Sequence, residues 1–232
     1  MPPAKRAKWT KKAPAKRATR KSTALRPQAT SRWVKTPKAY VNYGYALPKR
    51  VENTHRYYTA YLANPAAAST TKSYFRANGM YDPDVAVGGH QPMLFDQLGA
   101  MYNHFTVIES RIKVTFSSEY LNSVSNLGSC VCVLSVDDNA SDTRAYGDII
   151  ETDANAKWGV FGPGAEPLTL TTDWKASDFF GGDIIDNPNF RGNTGADPTE
   201  QSVYVITVVN QSGTYQVYLY VNVLIEYRAV WS

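Results

Sequence analysis

Tyr215-Gln216-Val217-Tyr218-Leu219-Tyr220-Val221-Asn222-Val223-Leu224-Ile225-Glu226-Tyr227-Arg228-Ala229-Val230 is the stretch that decides the fold. Val217, Leu219, Val221, Val223, Ile225 and Tyr227 take alternate positions, with Tyr218, Tyr220, Asn222, Leu224 and Glu226 between them. Side chains of an extended strand point alternately to its two faces, so a period of two describes a β-strand with one face in a core. Val203 to Val209 is a second strong strand just upstream, and Asn210-Gln211-Ser212-Gly213 between the two has the turn residues of a hairpin.

The same pattern recurs toward the amino terminus. Tyr102 to Phe116 places Ile108, Ile112, Val114 and Phe116 on one face and Glu109, Arg111, Lys113 and Thr115 on the other. Ser129 to Val136 is apolar on both faces, and Asp137-Asp138-Asn139 ends it in a polar loop reaching Ile150. Tyr57 to Leu62, Lys72 to Ala77, Lys157 to Phe161 and Leu168 to Lys175 complete the strands. Asn78 to Pro92 and Asp186 to Glu200 are loops dense in turn formers, Phe179 to Gly182 is a corner, and Phe95 to Met101 a short helical turn. Eight strands with few helices predict an all-β, antiparallel two-sheet sandwich, of which the eight-stranded jelly roll is the commonest example. A barrel or an immunoglobulin-like sandwich would give much the same periodicity.

Before this body lies a segment of different character. Residues 1–50 hold fifteen of the 25 Lys and Arg and no Asp or Glu, while residues 51–232 hold ten basic and twenty acidic residues. The net charge of +5 is therefore the sum of an arm near +15 and a body near −10. Like charges four apart at Lys8 and Lys12, Lys12 and Lys16, Lys16 and Arg20, and Arg17 and Lys21 oppose an isolated helix, and Pro14 and Pro27 interrupt any longer one. The arm is predicted to be disordered alone, with Pro37 to Arg50 as a linker to a body of one-domain size at 51–232. A polycation tethered to an acidic domain needs a polyanion elsewhere, and nucleic acid is the commonest. Lys5, Arg6, Lys8, Lys11, Lys12, Lys16, Arg17, Arg20, Lys21, Arg26, Arg32, Lys35 and Lys38 are the expected phosphate contacts. Trp9 and Trp33 either stack on unpaired bases or pack against the domain edge. Such clusters also serve as nuclear import signals, although thirteen cations exceed what an import signal needs.

Other chemistries find little support. There is no eighteen-residue apolar run and no apolar stretch after the basic start, so neither a membrane span nor a secretory signal is expected. Cys130 and Cys132 sit two apart on one strand face and are expected to stay reduced. With three histidines besides, no zinc site or other cofactor is expected. Asp137, Asn139, Ser141, Thr143, Ala145 and Asp148 resemble a calcium loop, but Asp142 stands where a sharp turn needs glycine. Gly-x-Ser-x-Gly, Walker and His-Glu-x-x-His patterns are absent, and Gly162-Pro163-Gly164 reads as a turn. His55, His90 and His104 lack a nucleophile's context, and nothing selects Glu109, Glu119 or Asp173 as paired glycosidase carboxylates. Tyrosine is enriched at sixteen, and Tyr218 and Tyr220 suit a subunit interface or a core equally.

Tyr74-Phe75-Arg76-Ala77-Asn78-Gly79-Met80-Tyr81-Asp82-Pro83-Asp84, continuing through Gly89-His90-Gln91-Pro92 and Phe95-Asp96-Gln97 to Tyr102-Asn103-His104-Phe105-Thr106-Val107, resembles the capsid proteins of circular Rep-encoding single-stranded DNA viruses, the circovirus-like group. Phe179-Phe180-Gly181, Asp197-Pro198-Thr199-Glu200-Gln201 and Val221 to Tyr227 extend the resemblance over nearly the whole body. The arm differs in mixing Lys and Ala with its Arg. The resemblance implies a jelly-roll subunit that assembles with copies of itself into a small icosahedral shell around a circular single-stranded DNA genome, with the arm inside. It also implies a host receptor, nuclear import receptors, and residence in the virion and host nucleus. The competing readings are a nucleic-acid-binding sandwich of ribosomal or chromatin type that forms no shell, and a carbohydrate-binding or hydrolytic sandwich with an import tail.

Overall fold

The computed structural model describes residues 39–40, 47–86, 89–118, 128–162, 164–182 and 184–232. Nine strands are assigned among them: β1 (Ala39–Tyr40), β2 (Arg50–Ala63), β3 (Thr70–Arg76), β4 (Phe105–Ser118), β5 (Cys130–Asp137), β6 (Lys157–Phe161), β7 (Leu168–Lys175), β8 (Val203–Asn210) and β9 (Leu219–Trp231). They form two antiparallel sheets, in the order β1-β2-β9-β4-β7 and β3-β8-β5-β6. The pairings β2 with β9, β3 with β8, β4 with β7 and β5 with β6 show how this arises. One long antiparallel ribbon, running out along β2 to β5 and back along β6 to β9, is rolled so that successive turns lie in opposite sheets. That is the jelly roll, and it decides against the immunoglobulin-like alternative.

The inner faces make one core. Tyr57, Ile112, Val114, Phe116, Trp174, Val221, Val223, Ile225 and Tyr227 of the five-stranded sheet meet Phe75, Cys132, Leu134, Tyr204, Ile206 and Val208 of the other. Buried tyrosines need hydrogen-bond partners. Tyr227 donates its hydroxyl to the Arg76 carbonyl at 2.7 Å, and Tyr204 shares a 2.8 Å hydrogen bond with the Ser110 hydroxyl. Along β9 the expected alternation holds from Leu219 to Tyr227, with the even-numbered positions outward. In β4 a bulge between Val107 and Glu109 shifts the register. Phe105 and Val107 therefore face the core before it, and Ser110, Ile112, Val114 and Phe116 after it. Ile108, expected among the core-facing residues, is instead half-buried at the bulge.

Four further local expectations change. First, Asn210 to Gly213 is not a hairpin turn, because β8 and β9 lie in different sheets. The buried Asn210 side chain donates to the carbonyls of Pro65, Ala66 and Tyr215 and accepts from the Ser212 N–H at 2.8 Å. Ala68 N–H also donates to the Ser212 carbonyl at 2.8 Å, so the two crossings at this end of the sandwich are tied together. Second, β2 begins at Arg50, seven residues before the expected start, and β1 within the expected linker pairs Ala39 with Val51 and Tyr40 with Arg50. Third, the polar loop after β5 contains a helix, α1 here, from Tyr146 to Thr152. Its sequence has a glycine and no side-chain cap, so packing supplies its stability: Ile149 is buried with Val131, Val133 and Val209 on the outer face of the four-stranded sheet. Fourth, the loop Asp186 to Glu200 is not wholly superficial, since the Asp197 side chain is buried.

Candidate functional site

All fifteen expected nucleic-acid contacts, Lys5, Arg6, Lys8, Trp9, Lys11, Lys12, Lys16, Arg17, Arg20, Lys21, Arg26, Arg32, Trp33, Lys35 and Lys38, lie outside the described residues. What is described is where their segment joins the body. Lys38 immediately precedes Ala39, so the basic arm runs into β1, the edge of the five-stranded sheet.

That sheet's outer face divides into two halves by register. Toward the start of β2, Arg228 of β9 donates to both Glu52 of β2 and Glu109 of β4. Arg56 pairs with Glu226 at 2.7 Å, and Arg111 with Asp173 through two hydrogen bonds, the Nη2 one at 2.9 Å. Every carboxylate of this face among the described residues thus has a guanidinium. In the other half, Tyr58 lies opposite Leu224 and Leu62 opposite Tyr220, while Lys113 and Thr115 of β4 flank Leu224 and Asn222. Tyr58 donates its hydroxyl to Asn222 Oδ1 at 2.9 Å. Tyr58 is 55% exposed, Tyr220 43% and Leu62 40%. Of the two uses weighed for Tyr220, the core is therefore eliminated; Tyr218 is half-buried in the crossing before β9.

The segment resembling circovirus-like capsids forms one interlocked unit. Asp197 accepts from the N–H groups of Tyr81 and Asp82 at 3.0 and 3.2 Å, and Arg76 approaches it at 3.4 Å while donating to Gln201 at 3.2 Å. Asn78 donates to the Glu200 carbonyl at 2.7 Å and accepts from Ser202 N–H at 3.0 Å. A Cβ on Gly79 would fall 2.6 Å from Asp197 Oδ1, so only glycine fits beneath the carboxylate. Burial pushes the Asp197 carboxyl up to about 6 against the opposing pull of Arg76. Two stretches more than a hundred residues apart thus build one loop platform.

The calcium-like loop is committed to the chain's own cations. Arg144 pairs with Asp137 and Asp142, and Lys72 Nζ donates to the carbonyls of Asp142 and Arg144 at 2.8 and 2.9 Å. Burial works against the Asp142 charge, yet the hydrogen bonds from Arg144 and the nearby Lys72 hold its carboxyl below the usual range. Among the described residues no group of three or more His, Cys, Asp or Glu side chains is placed to hold a metal ion. Cys130 and Cys132 are free and buried, and burial pushes the Cys130 thiol up to about 11 and that of Cys132 higher still. His55 accepts from Trp231 Nε1 at 2.9 Å and contacts the Met93 carbonyl at 3.1 Å, while His90 stacks on Tyr57. Glu109 and Asp173 face Arg228 and Arg111 on an open sheet surface, and Glu119 lies outside the described residues.

No family model matches the chain. No curated protein matches it either. Among solved structures it is similar to the decameric capsid protein of beak and feather disease virus, with 5% identity over 78% of this chain and 99% of that one and a TM-score of 0.44. The 60-meric form of that capsid protein gives 8% identity, 80% and 95% coverage and a TM-score of 0.42. A virus-like particle of the nodavirus of the prawn Macrobrachium rosenbergii gives 9% identity, 75% and 94% coverage and a TM-score of 0.36. Likeness at this level does not carry function from those proteins to this chain, whose strand order defines its fold unaided.

Proposed function

We propose that this chain is the capsid protein of a circovirus-like virus: a non-enzymatic subunit that assembles with copies of itself into a small icosahedral shell and packages circular single-stranded DNA through its basic arm. The observation that carries this reading is the charge partition. An acid-free arm near +15 leads into the edge of a jelly roll whose body is near −10. A folded acidic domain gains nothing from such an arm by itself, whereas many copies enclosing a phosphate polymer neutralise it. The resemblance in Tyr74 to Val107 and in Asp197 to Gln201 points the same way. Import receptors reading the arm, a virion location and passage through the host nucleus belong to the same proposal. The long loops around Asn78 to Pro92 and Asp186 to Glu200 are proposed to make contacts between subunits or to face outward.

The test is expression of the full chain, with light scattering, negative-stain microscopy and the ratio of absorbance at 260 and 280 nm on the purified product. Closed particles holding nuclease-protected nucleic acid are expected. Deleting residues 1–38 should leave folded subunits or particles with little nucleic acid. If all thirteen arm cations meet single-strand phosphates, the log–log salt slope of binding reaches about −9. A monomer that binds oligonucleotides would return the cellular nucleic-acid-binding reading in its place. Unchanged nucleic acid content after the deletion would refute the arm's role.

A further inference from the structure

We propose that the outer face of the β1-β2-β9-β4-β7 sheet is the shell's inner wall and a second binding site for single-stranded nucleic acid, with Tyr58 and Tyr220 as stacking surfaces for unpaired bases and Lys113 as a phosphate contact. The proposal rests on the capsid reading for its placement inside a shell, but the binding site itself stands on the geometry of this face.

Three observations converge on it. Among the described residues, the half-face holding Tyr58, Leu62, Tyr220, Leu224 and Asn222 carries Lys113 and no carboxylate, although the body as a whole is near −10. Glu52, Glu109, Glu226 and Asp173 all lie in the other half, each against an arginine. A polyanion crossing the tyrosines therefore meets a cation and no uncompensated acid. The two rings are large and exposed, and the Tyr58 hydroxyl is already tied to Asn222, so the Tyr58 ring loses little freedom on stacking. The Cα partner of Tyr58 is Leu224, four residues from Tyr220 along β9, which separates the rings by about 14 Å along the strand. That distance accommodates a short run of splayed nucleotides, with Ala60 leaving an open gap between Tyr58 and Leu62.

The opposite side of the sandwich has the reverse character. The segment that packs Ile149 on the four-stranded sheet carries Asp137, Asp138, Asp142, Asp148, Glu151 and Asp153 against Arg144 and Lys72. Phosphate is repelled there. The arm, by contrast, joins the body at β1, an edge of the very sheet whose outer face lacks unpaired acid.

The experiment uses the full chain with oligothymidine carrying 5-iodouracil, which crosslinks under irradiation to aromatic rings it stacks on, followed by peptide mapping. Crosslinks at Tyr58 and Tyr220 are expected. Tyr58→Ser and Tyr220→Ser should each weaken oligothymidine binding by about tenfold at every salt concentration without altering the salt slope, because stacking releases no counterions. Lys113→Gln should reduce that slope by about 0.7, and Tyr58→Phe, which keeps the ring but loses its tie to Asn222, should bind within about threefold of the parent. Crosslinks confined to residues 1–38, with unchanged affinity in both serine variants, would overturn the proposal while particles that retain nucleic acid leave the capsid reading standing. Protection of this face from hydrogen exchange in particles without any crosslink would assign it to a second subunit and overturn the proposal equally. Failure to form particles, with crosslinks at both tyrosines in free subunits, would sink the capsid reading and keep the binding site.

Discussion

Replacing Arg228 with methionine tests whether the charged half of the outer face is held by electrostatics or merely decorated by it. The Arg228 side chain is 18% exposed, and its partners Glu52 and Glu109 are 13% and 16% exposed. Methionine keeps most of the stem's packing and removes only the guanidinium, leaving two largely buried carboxylates with no partner between them. Breaking a buried pair in this way costs about 3–5 kcal/mol. Residual solvent access places the expected loss near the lower figure, about 3 kcal/mol. For a body of this size a urea m-value of roughly 2 kcal/mol/M converts that into a midpoint lowered by about 1.5 M. The measurement is urea unfolding followed by tryptophan fluorescence, at a concentration where light scattering shows single subunits. The companion variant Glu52→Gln/Arg228→Met/Glu109→Gln removes all three charges and should return to within about 1 kcal/mol of the parent, because no charge is then left buried alone. A midpoint shift below about 0.3 M for Arg228→Met would refute the burial argument on which that loss rests. An equal loss in the triple variant would assign the effect to packing.

Two further outcomes follow from buried polar groups. Asn210→Ala should destabilise the body by about 2–3 kcal/mol in the same assay, since it strips three carbonyls and one N–H of a buried partner at the paired crossings. An effect under about 0.5 kcal/mol would mean that those crossings are held by other contacts. Desolvation lowers the His55 pKa from 6.5, opposed by the Met93 carbonyl. As pH falls through 6.5 the unfolded chain therefore takes up a proton that the native chain refuses, and stability present above that pH is lost, at up to about 1.4 kcal/mol per pH unit. Asp197, raised to about 6 from 3.8, acts in the opposite sense, because the native chain protonates first and gains stability as pH falls between those values. His55→Gln, which can still accept from Trp231 and donate to Met93, should abolish the loss below pH 6.5 and unmask the Asp197 gain. Parallel stability–pH curves for parent and variant would contradict the His55 assignment, and a variant that gains no stability as pH falls below 6 would contradict that of Asp197.

The strands were legible wherever most inward positions are apolar: Leu168 to Lys175, with Leu168, Leu170 and Trp174 inward and only Thr172 breaking the apolar pattern, is β7 residue for residue. The first half of β2 was not legible, because Asn53 and His55 occupy inward positions that a hydrophobic pattern reserves for aliphatic residues. His55 is tolerated there because Trp231 and Met93 satisfy it, and those partners lie at sequence separations of 176 and 38. The hairpin expected at Asn210 failed for a related reason. A turn-rich tetrapeptide serves a hairpin or a crossing equally, and the choice is made by β2 and β4, which hold β9 in the other sheet. Helix α1 was missed because its stability comes from Ile149 packing rather than from propensity. Of the candidate interfaces, the arm announced itself by charge alone. The tyrosine surface of the five-stranded sheet could not, since joining Tyr58 to Tyr220 requires the register of strands some 160 residues apart, a spacing set by the Tyr58–Asn222 contact.

In the rolled ribbon β9 sits between β2 and β4 and joins them by hydrogen-bonding along one edge of each. During synthesis those two strands leave the ribosome long before the strand that must zip them together, so the subunit waits nearly to completion before it can close. The cationic leader is under no such constraint. On the proposed function, residues 1–38 are translated before either of those strands and can meet a polyanion before there is a folded body able to join a shell.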